Sequence, residues 1–210
     1  MDRNGISRAT MGRLPGYLHY IHSLKESDTR YVSATAVARA LCLGEVQVRK
    51  DLSAVCGSGK PKVGYAVADL CAALERALLV NAPCEAVIVG AGKLGMALLA
   101  FGGFAEYGIT VARAFDTDGR KVSPSVRPMT ELPDYCRDKK VEIGILAVPP
   151  EAAQEAAQAL VESGVRAVWC FAPTRLDLPA GVTVQYENLA LSLAHLHHRV
   201  HSAQKEGDAS

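Results

Sequence analysis

From Thr10 to Lys25 the apolar residues Met11, Leu14, Leu18, Ile21 and Leu24 recur every three or four positions, which predicts one helical face. Pro15 fits such a helix only in its first turn. Ser33 then reads as the N-cap of ATAVARALCL, whose short stripe is Val37, Ala38 and Leu41 and whose breaker is Gly44. EVQVRKDLSAV begins a second helix at once. Two short helices across a tight turn predict a helix-turn-helix, with Gln47, Arg49 and Lys50 set between the apolar Val46, Val48 and Leu52. CGSGKPKVGY has the Gly and Lys content of a β-hairpin wing, VADLCAALERALL closes the unit, and Asn81, Ala82 and Pro83 read as a linker.

Beyond the linker the period changes. AVIVG is a short all-apolar run of the kind buried inside a parallel sheet, and it feeds a glycine loop and the helix LGMALLAFGGFAEYG. ITVARAFD, IGILAVP, AVWCFAP and VTVQY supply further strands. PEAAQEAAQALVESG is a helix, with Pro150 in its first turn and Gly164 at its C-cap. The alternation predicts an α/β Rossmann fold, a doubly wound parallel sheet over residues 84–186, behind an N-terminal winged-helix domain over residues 1–80. Residues 187–203 form a last helix with Leu189, Leu193, Leu196 and Val200 on one face.

Composition narrows the partners. The net charge is only +1, but the first third holds an excess of Lys and Arg over Asp and Glu, which suits a polyanion. Six cysteines (Cys42, Cys56, Cys71, Cys84, Cys136, Cys170) form no C-x-x-C pair and read as buried or half-buried free thiols in a reducing cytoplasm. MDRNGISRATMGRL holds no apolar core of signal-peptide length, and no run approaches the ~18 apolar residues of a membrane span. A cytoplasmic protein is expected. His195, His197, His198 and His201 cluster on the last helix, where they read as a polar face, and no metal site is expected.

Gly90, Gly92 and Gly95 spell G-x-G-x-x-G where a strand turns into a helix, with Ala91, Lys93 and Leu94 between them. Gly90 permits the turn, Gly92 lets a pyrophosphate approach, and Gly95 lets helix and strand pack closely, while the amides at the helix start bind the anion. Asp116 ends the next strand, where a carboxylate accepts ribose hydroxyls and repels a 2′-phosphate, so NAD(H) is expected over NADP(H). Ala147, Val148 and Pro149 end one later strand, and Phe171, Ala172 and Pro173 another, as a nicotinamide floor or as ordinary strand-end turns. No His or Lys falls at these ends to serve as acid or base, which favours sensing over turnover.

ISRATMGRLPGYLHYIHSL, EVQVRKDLS, KVGY, VGAGKLGMAL, GGF, AFDTD, ILAVPPEAAQEAA and FAPTRLDLP, in this order, resemble the Rex family of redox-sensing transcriptional repressors. The resemblance implies a homodimer with exchanged C-terminal helices. It also implies a palindromic double-stranded DNA operator, and NADH/NAD⁺ as ligand, with NADH weakening operator binding. DNA contacts then fall on Gln47, Arg49 and Lys50 for bases and on Lys60 and Lys62 for phosphates. This chain departs from the family's usual residues at His19 for Arg, Phe101 for Tyr and Asn188 for Asp, positions that couple nucleotide to DNA, and at Cys170 for Asn. Ala54, Val55, Cys56, Ser58 and Pro61 also depart around the wing. A weakened redox switch is expected. Two other readings stand beside this one: a repressor sensing another adenine nucleotide or a CoA-like ligand, and a small NAD-dependent oxidoreductase.

Overall fold

Pro15 decides how the chain begins. The computed structural model describes residues 6–207, with side chains as far as residue 200, so the side chain of His201 lies outside the described residues. α1 (Arg8–Met11) stops short, and α2 (Leu14–Glu26) restarts with Pro15 in its first turn, so the single helix expected from Thr10 is two. β1 (Tyr31–Val32) leads into α3 (Ala34–Ala40), whose first turn is capped by Ser33 accepting from the Ala36 amide at 3.0 Å. The tight turn takes its left-handed residue at Cys42 (φ 53°), which is exposed, and not at Gly44, the extended N-cap of α4 (Glu45–Cys56). Val37, Ala38, Val48 and Leu52 are buried together and set the angle between these two helices.

The expected hairpin wing is smaller than a hairpin. Lys60 and Gly64 exchange two backbone hydrogen bonds of 2.8 Å as an isolated bridge, and the strand pairing belongs to β2 (Tyr65–Ala66), antiparallel to β1. Gly64 sits at φ 91°, where a Cβ would collide with the carbonyl of Val32. α5 (Val67–Ala77) then packs on α2 through Leu70 and Leu74. These elements form one compact unit, running to Pro83 and including Ala105–Gly108; the rest of the chain forms another.

The second unit is built on β3 (Cys84–Val89), α6 (Lys93–Ala100), β4 (Ile109–Asp116), β5 (Val126–Pro128), α7 (Leu132–Lys139), β6 (Ile143–Leu146), α8 (Pro150–Glu162), β7 (Ala167–Cys170) and β8 (Thr183–Tyr186). All six strands are parallel in the order β5-β4-β3-β6-β7-β8. The winding reverses between β3 and β6, so a crevice opens at their carboxyl ends. α7 and α8 cover one face over Val87, Val89, Phe115, Leu146 and Val168, with Leu160 of α8 packed into it. On the other face α6 covers β3 and β4, while Ile109, Val111, Ile143 and Trp169 stay half-buried around an apolar hollow of about 340 Å³. α9 (Leu189–Gly207) follows, and every described side chain on it is exposed, Leu189, Leu193, Leu196 and Val200 among them. Among the described residues no helix is long and apolar enough to cross a membrane.

Candidate functional site

In the first unit α4 and the wing loop enclose a groove of about 820 Å³ whose lining includes Arg49, Lys50, Lys60 and Lys62, with Ser33 and Thr35 from the start of α3. Four cationic side chains on one concave surface make a positive field suited to phosphates. Arg49 reaches back to Glu45 one turn earlier on the same exposed face. Gln47 is exposed but lies outside the lining, and its amide donates to Asp51 Oδ1 at 3.0 Å, because a buried carboxylate with lone pairs to fill outcompetes solvent for the donor.

That carboxylate is the feature sequence reasoning missed. Asp51 is 1% exposed and accepts from Thr10 Oγ1 at 2.9 Å, Arg13 Nε at 2.7 Å, Arg13 Nη2 at 3.0 Å and Tyr17 OH at 2.7 Å as well as from Gln47. Burial alone would raise its pKa, but the hydrogen bonds from Arg13, Tyr17, Thr10 and Gln47 outweigh burial and hold it at about 2. Burial and the bond to Asp51 push the Tyr17 phenol to about 12. One carboxylate thus ties α1 and α2 to the helix that lines the groove. The available signal was spacing, since Asp51 falls in step with Val48 and beside Leu52 on the buried face.

In the second unit the carboxyl ends of β3, β4 and β6 border a cavity of about 710 Å³ lined by Gly90, Gly92, Asp116, Asp118, Lys121, Ala147, Val148 and Pro149, among others. Gly90 lies at φ 105°, with the Ala147 carbonyl where a Cβ would stand, and a Cβ on Gly95 would strike the Gly90 carbonyl. Gly92 differs. Its backbone is extended and a Cβ there meets nothing within 4 Å, so open space and not packing is what its missing side chain preserves. The amides of Lys93, Leu94 and Gly95 open α6 without intrahelical acceptors. The loop therefore fits a pyrophosphate.

Two expectations shift. The Ala91 amide is not left for a pyrophosphate, because it donates to Asp116 Oδ2 at 2.7 Å. Asp116 is itself occupied: Oδ1 accepts from the Asp118 amide at 2.8 Å, and Oδ2 also accepts from Lys121 Nζ at 2.9 Å. Burial would lift its pKa, but the Asp118 amide, Lys121 and the Ala91 amide together hold it below the usual carboxylate value. Phe171, Ala172 and Pro173 end β7, one strand beyond the cavity. Phe171 packs edge-on to Trp169 at 4.5 Å between centroids, Ala172 is buried in the core, and Pro173 is exposed.

Of the three positions expected to couple nucleotide to DNA, His19 is exposed on α2 and Phe101 is 60% exposed, its ring edge-on to Phe104 at 5.0 Å. Asn188 Oδ1 accepts from the Leu191 amide at 2.9 Å, capping α9 as an Asp would.

Residues 5–53 match a family model described as "Putative DNA-binding protein N-terminus", and residues 81–174 match one described as "CoA binding domain". A helix-turn-helix unit with a basic groove, joined to a Rossmann unit with a glycine-loop cavity, defines the class as a DNA-binding regulator with a nucleotide-binding domain. Redox-sensing transcriptional repressors Rex are similar over nearly the whole chain. That of Treponema denticola is 41% identical across 88% of this chain and 90% of its own, and that of Pelotomaculum thermopropionicum 36% across 97% of each. The crystal structure of RSP with β-NAD⁺ and operator DNA superposes with a TM-score of 0.87 at 28% identity, covering 97% of this chain and 96% of that one. RSP with β-NADH gives 0.84 at 27%, covering 98% and 99%. The chain belongs to the Rex family.

Proposed function

We propose that this chain is a cytoplasmic, non-enzymatic transcriptional repressor that grips a palindromic operator as a homodimer when NADH is scarce and releases it when NADH binds. The observation that carries the reading is the presence, in one chain, of the basic groove of α4 and the glycine-loop cavity beside β3. Its relatives are named repressors, and RSP was solved with both kinds of ligand. Arg49 and Lys50 address bases, with Gln47 partly committed to Asp51; Lys60 and Lys62 address phosphates. Gly90, Gly92 and the amides of Lys93, Leu94 and Gly95 hold the pyrophosphate, Asp116 faces the adenosine ribose, and Ala147 to Pro149 face the nicotinamide. The exposed stripe of α9 and the half-covered face around Trp169 offer apolar surface for a second copy. The test is operator binding across an NADH titration: operator affinity unaffected by NADH defeats the proposal.

Replacing Lys60 and Lys62 with Ala is expected to weaken binding to every sequence and to flatten the salt dependence by about 0.9 log unit of slope for each phosphate left unneutralised. An unchanged slope with altered sequence preference removes the wing from the phosphate role. Lys121→Ala uncovers the charge of Asp116, so NADPH is expected to weaken about tenfold more than NADH, a difference of about 1.4 kcal/mol. Equal losses by fluorescence titration would show that this charge does not select the cofactor. Restoring His19→Arg, Phe101→Tyr and Asn188→Asp together is expected to strengthen NADH-driven operator release with nucleotide affinity unchanged off DNA. Equal release in parent and triple variant would take the coupling away from these positions.

A second reading has its own support. The match of residues 81–174 to a CoA-binding model and a loop that recognises pyrophosphate suit CoA or another adenine nucleotide as well as NADH. Competition among NADH, NAD⁺, ATP and CoA decides between them.

A further inference from the structure

In the first unit, outside the lining of the basic groove, α2 and α5 bring three metal-binding side chains together: His22, Cys71 and Glu75, whose ligand atoms all lie within 4.8 Å of one another. Cys71 and Glu75 are one turn apart on α5, so they share a face, and His22 crosses from α2 to meet them. Glu75 Oε1 lies 3.2 Å from His22 Nε2 and 3.3 Å from Cys71 Sγ. A tetrahedral zinc ion with bonds of 2.0–2.3 Å sets its ligands roughly 3.3–3.6 Å apart, so the pairs around Glu75 already have close to the edge length such an ion imposes. Cys71 is buried, while the side chains of His22 and Glu75 are 39% and 25% exposed, which gives an ion a way in from solvent.

The chemistry of the set is selective. Thiolate, imidazole and carboxylate together favour a borderline-soft divalent ion over magnesium or calcium, which seek oxygen alone. The thiolate and carboxylate supply two negative charges against the ion's two positive ones. We propose that His22, Cys71 and Glu75 form a three-ligand site for a zinc-class divalent cation, with water at the fourth position, that clamps α2 to α5. On binding, the Cys71 thiol releases its proton to solvent.

Cobalt(II) is the probe for the test, added to the full-length, reduced, chelator-treated protein. One equivalent per chain is expected, with the thiolate-to-cobalt charge-transfer band and tetrahedral visible bands, displaced by zinc, and with a raised melting temperature. Cys71→Ser is expected to abolish the charge-transfer band, whereas Cys42→Ser and Cys56→Ser leave it intact. His22→Gln and Glu75→Gln are expected to weaken binding at least ~10-fold, the lower end of what losing even an outer partner of a metal site costs. A band that survives Cys71→Ser, or cobalt binding without any thiolate band, overturns the site. If Cys71→Ser melts before it can be titrated, the half-exposed His22→Gln decides, and unchanged cobalt affinity in that variant overturns the site equally.

Discussion

Asp51→Ala is expected to lower the unfolding free energy of the N-terminal unit by about 3–5 kcal/mol, the range for stripping one partner from a buried ion pair. Four side chains lose their acceptor at once, and the Tyr17 hydroxyl, fully buried, cannot turn to water without opening the core. Against a domain stability of roughly 5–15 kcal/mol this removes much of the margin. Asp51→Asn keeps the shape and one acceptor but turns an amide toward donors, so a smaller loss is expected. The acid limb gives an independent check. The folded carboxyl sits at about 2 against an ordinary 3.8, so its stabilisation is complete above about pH 4 and is lost as pH falls toward 2. At about 1.36 kcal/mol per unit, this amounts to about 2 kcal/mol. Urea unfolding from pH 2 to 5 should show that slope in the parent and a flatter one in Asp51→Asn. A loss below about 1 kcal/mol for Asp51→Ala would mean that the network is ornamental to stability.

Gly92→Thr is expected to separate folding from ligand binding. Threonine and glycine are near-equal N-caps, the backbone at Gly92 is extended, and a Cβ there meets nothing, so stability should move by no more than about 0.5 kcal/mol. The new side chain fills the space that the loop keeps open for pyrophosphate. NADH affinity should fall by at least ~100-fold, or about 3 kcal/mol, and operator binding should persist at NADH levels that release the parent. Gly95→Ala is the contrasting control, since its Cβ strikes the Gly90 carbonyl and the loop itself must give way. Calorimetric titration with NADH beside a thermal melt reads both quantities. Unchanged NADH affinity in a well-folded Gly92→Thr would move the nucleotide elsewhere.

What was legible in the chain was whatever period or punctuation exposed. The apolar runs before Gly90, Ala147 and Phe171 are strands, because a parallel strand covered on both faces must be apolar throughout. β5 is three residues ending in Pro128, and β1 and β2 are two residues each, too short to carry any alternation. α7 also escaped notice, its stripe reduced to Leu132 and Cys136 among charged neighbours. At the cavity the glycines, Asp116 and Ala147 to Pro149 meet as their strand ends suggest, but strand order is not written in a local pattern. That order puts Phe171 to Pro173 one strand out. The partners of Asp51 were hidden for a similar reason, since Thr10, Arg13 and Tyr17 lie 34 to 41 residues away in sequence.

The Asp51 network also limits how operator affinity can be regulated. A carboxylate that fixes the roll of α4 by four bonds to α1, α2 and Arg13 between them leaves the reading head with a single pose, like a key already cut. A ligand that acted by reshaping this head would have to break those bonds, at a cost exceeding the 1–3 kcal/mol of a typical allosteric coupling. In the proposed dimer, control of the operator therefore comes from where the two heads are carried. On a palindrome with half-sites about 34 Å apart, a displacement of a fraction of a turn puts the second head out of phase with its groove while leaving each head intact.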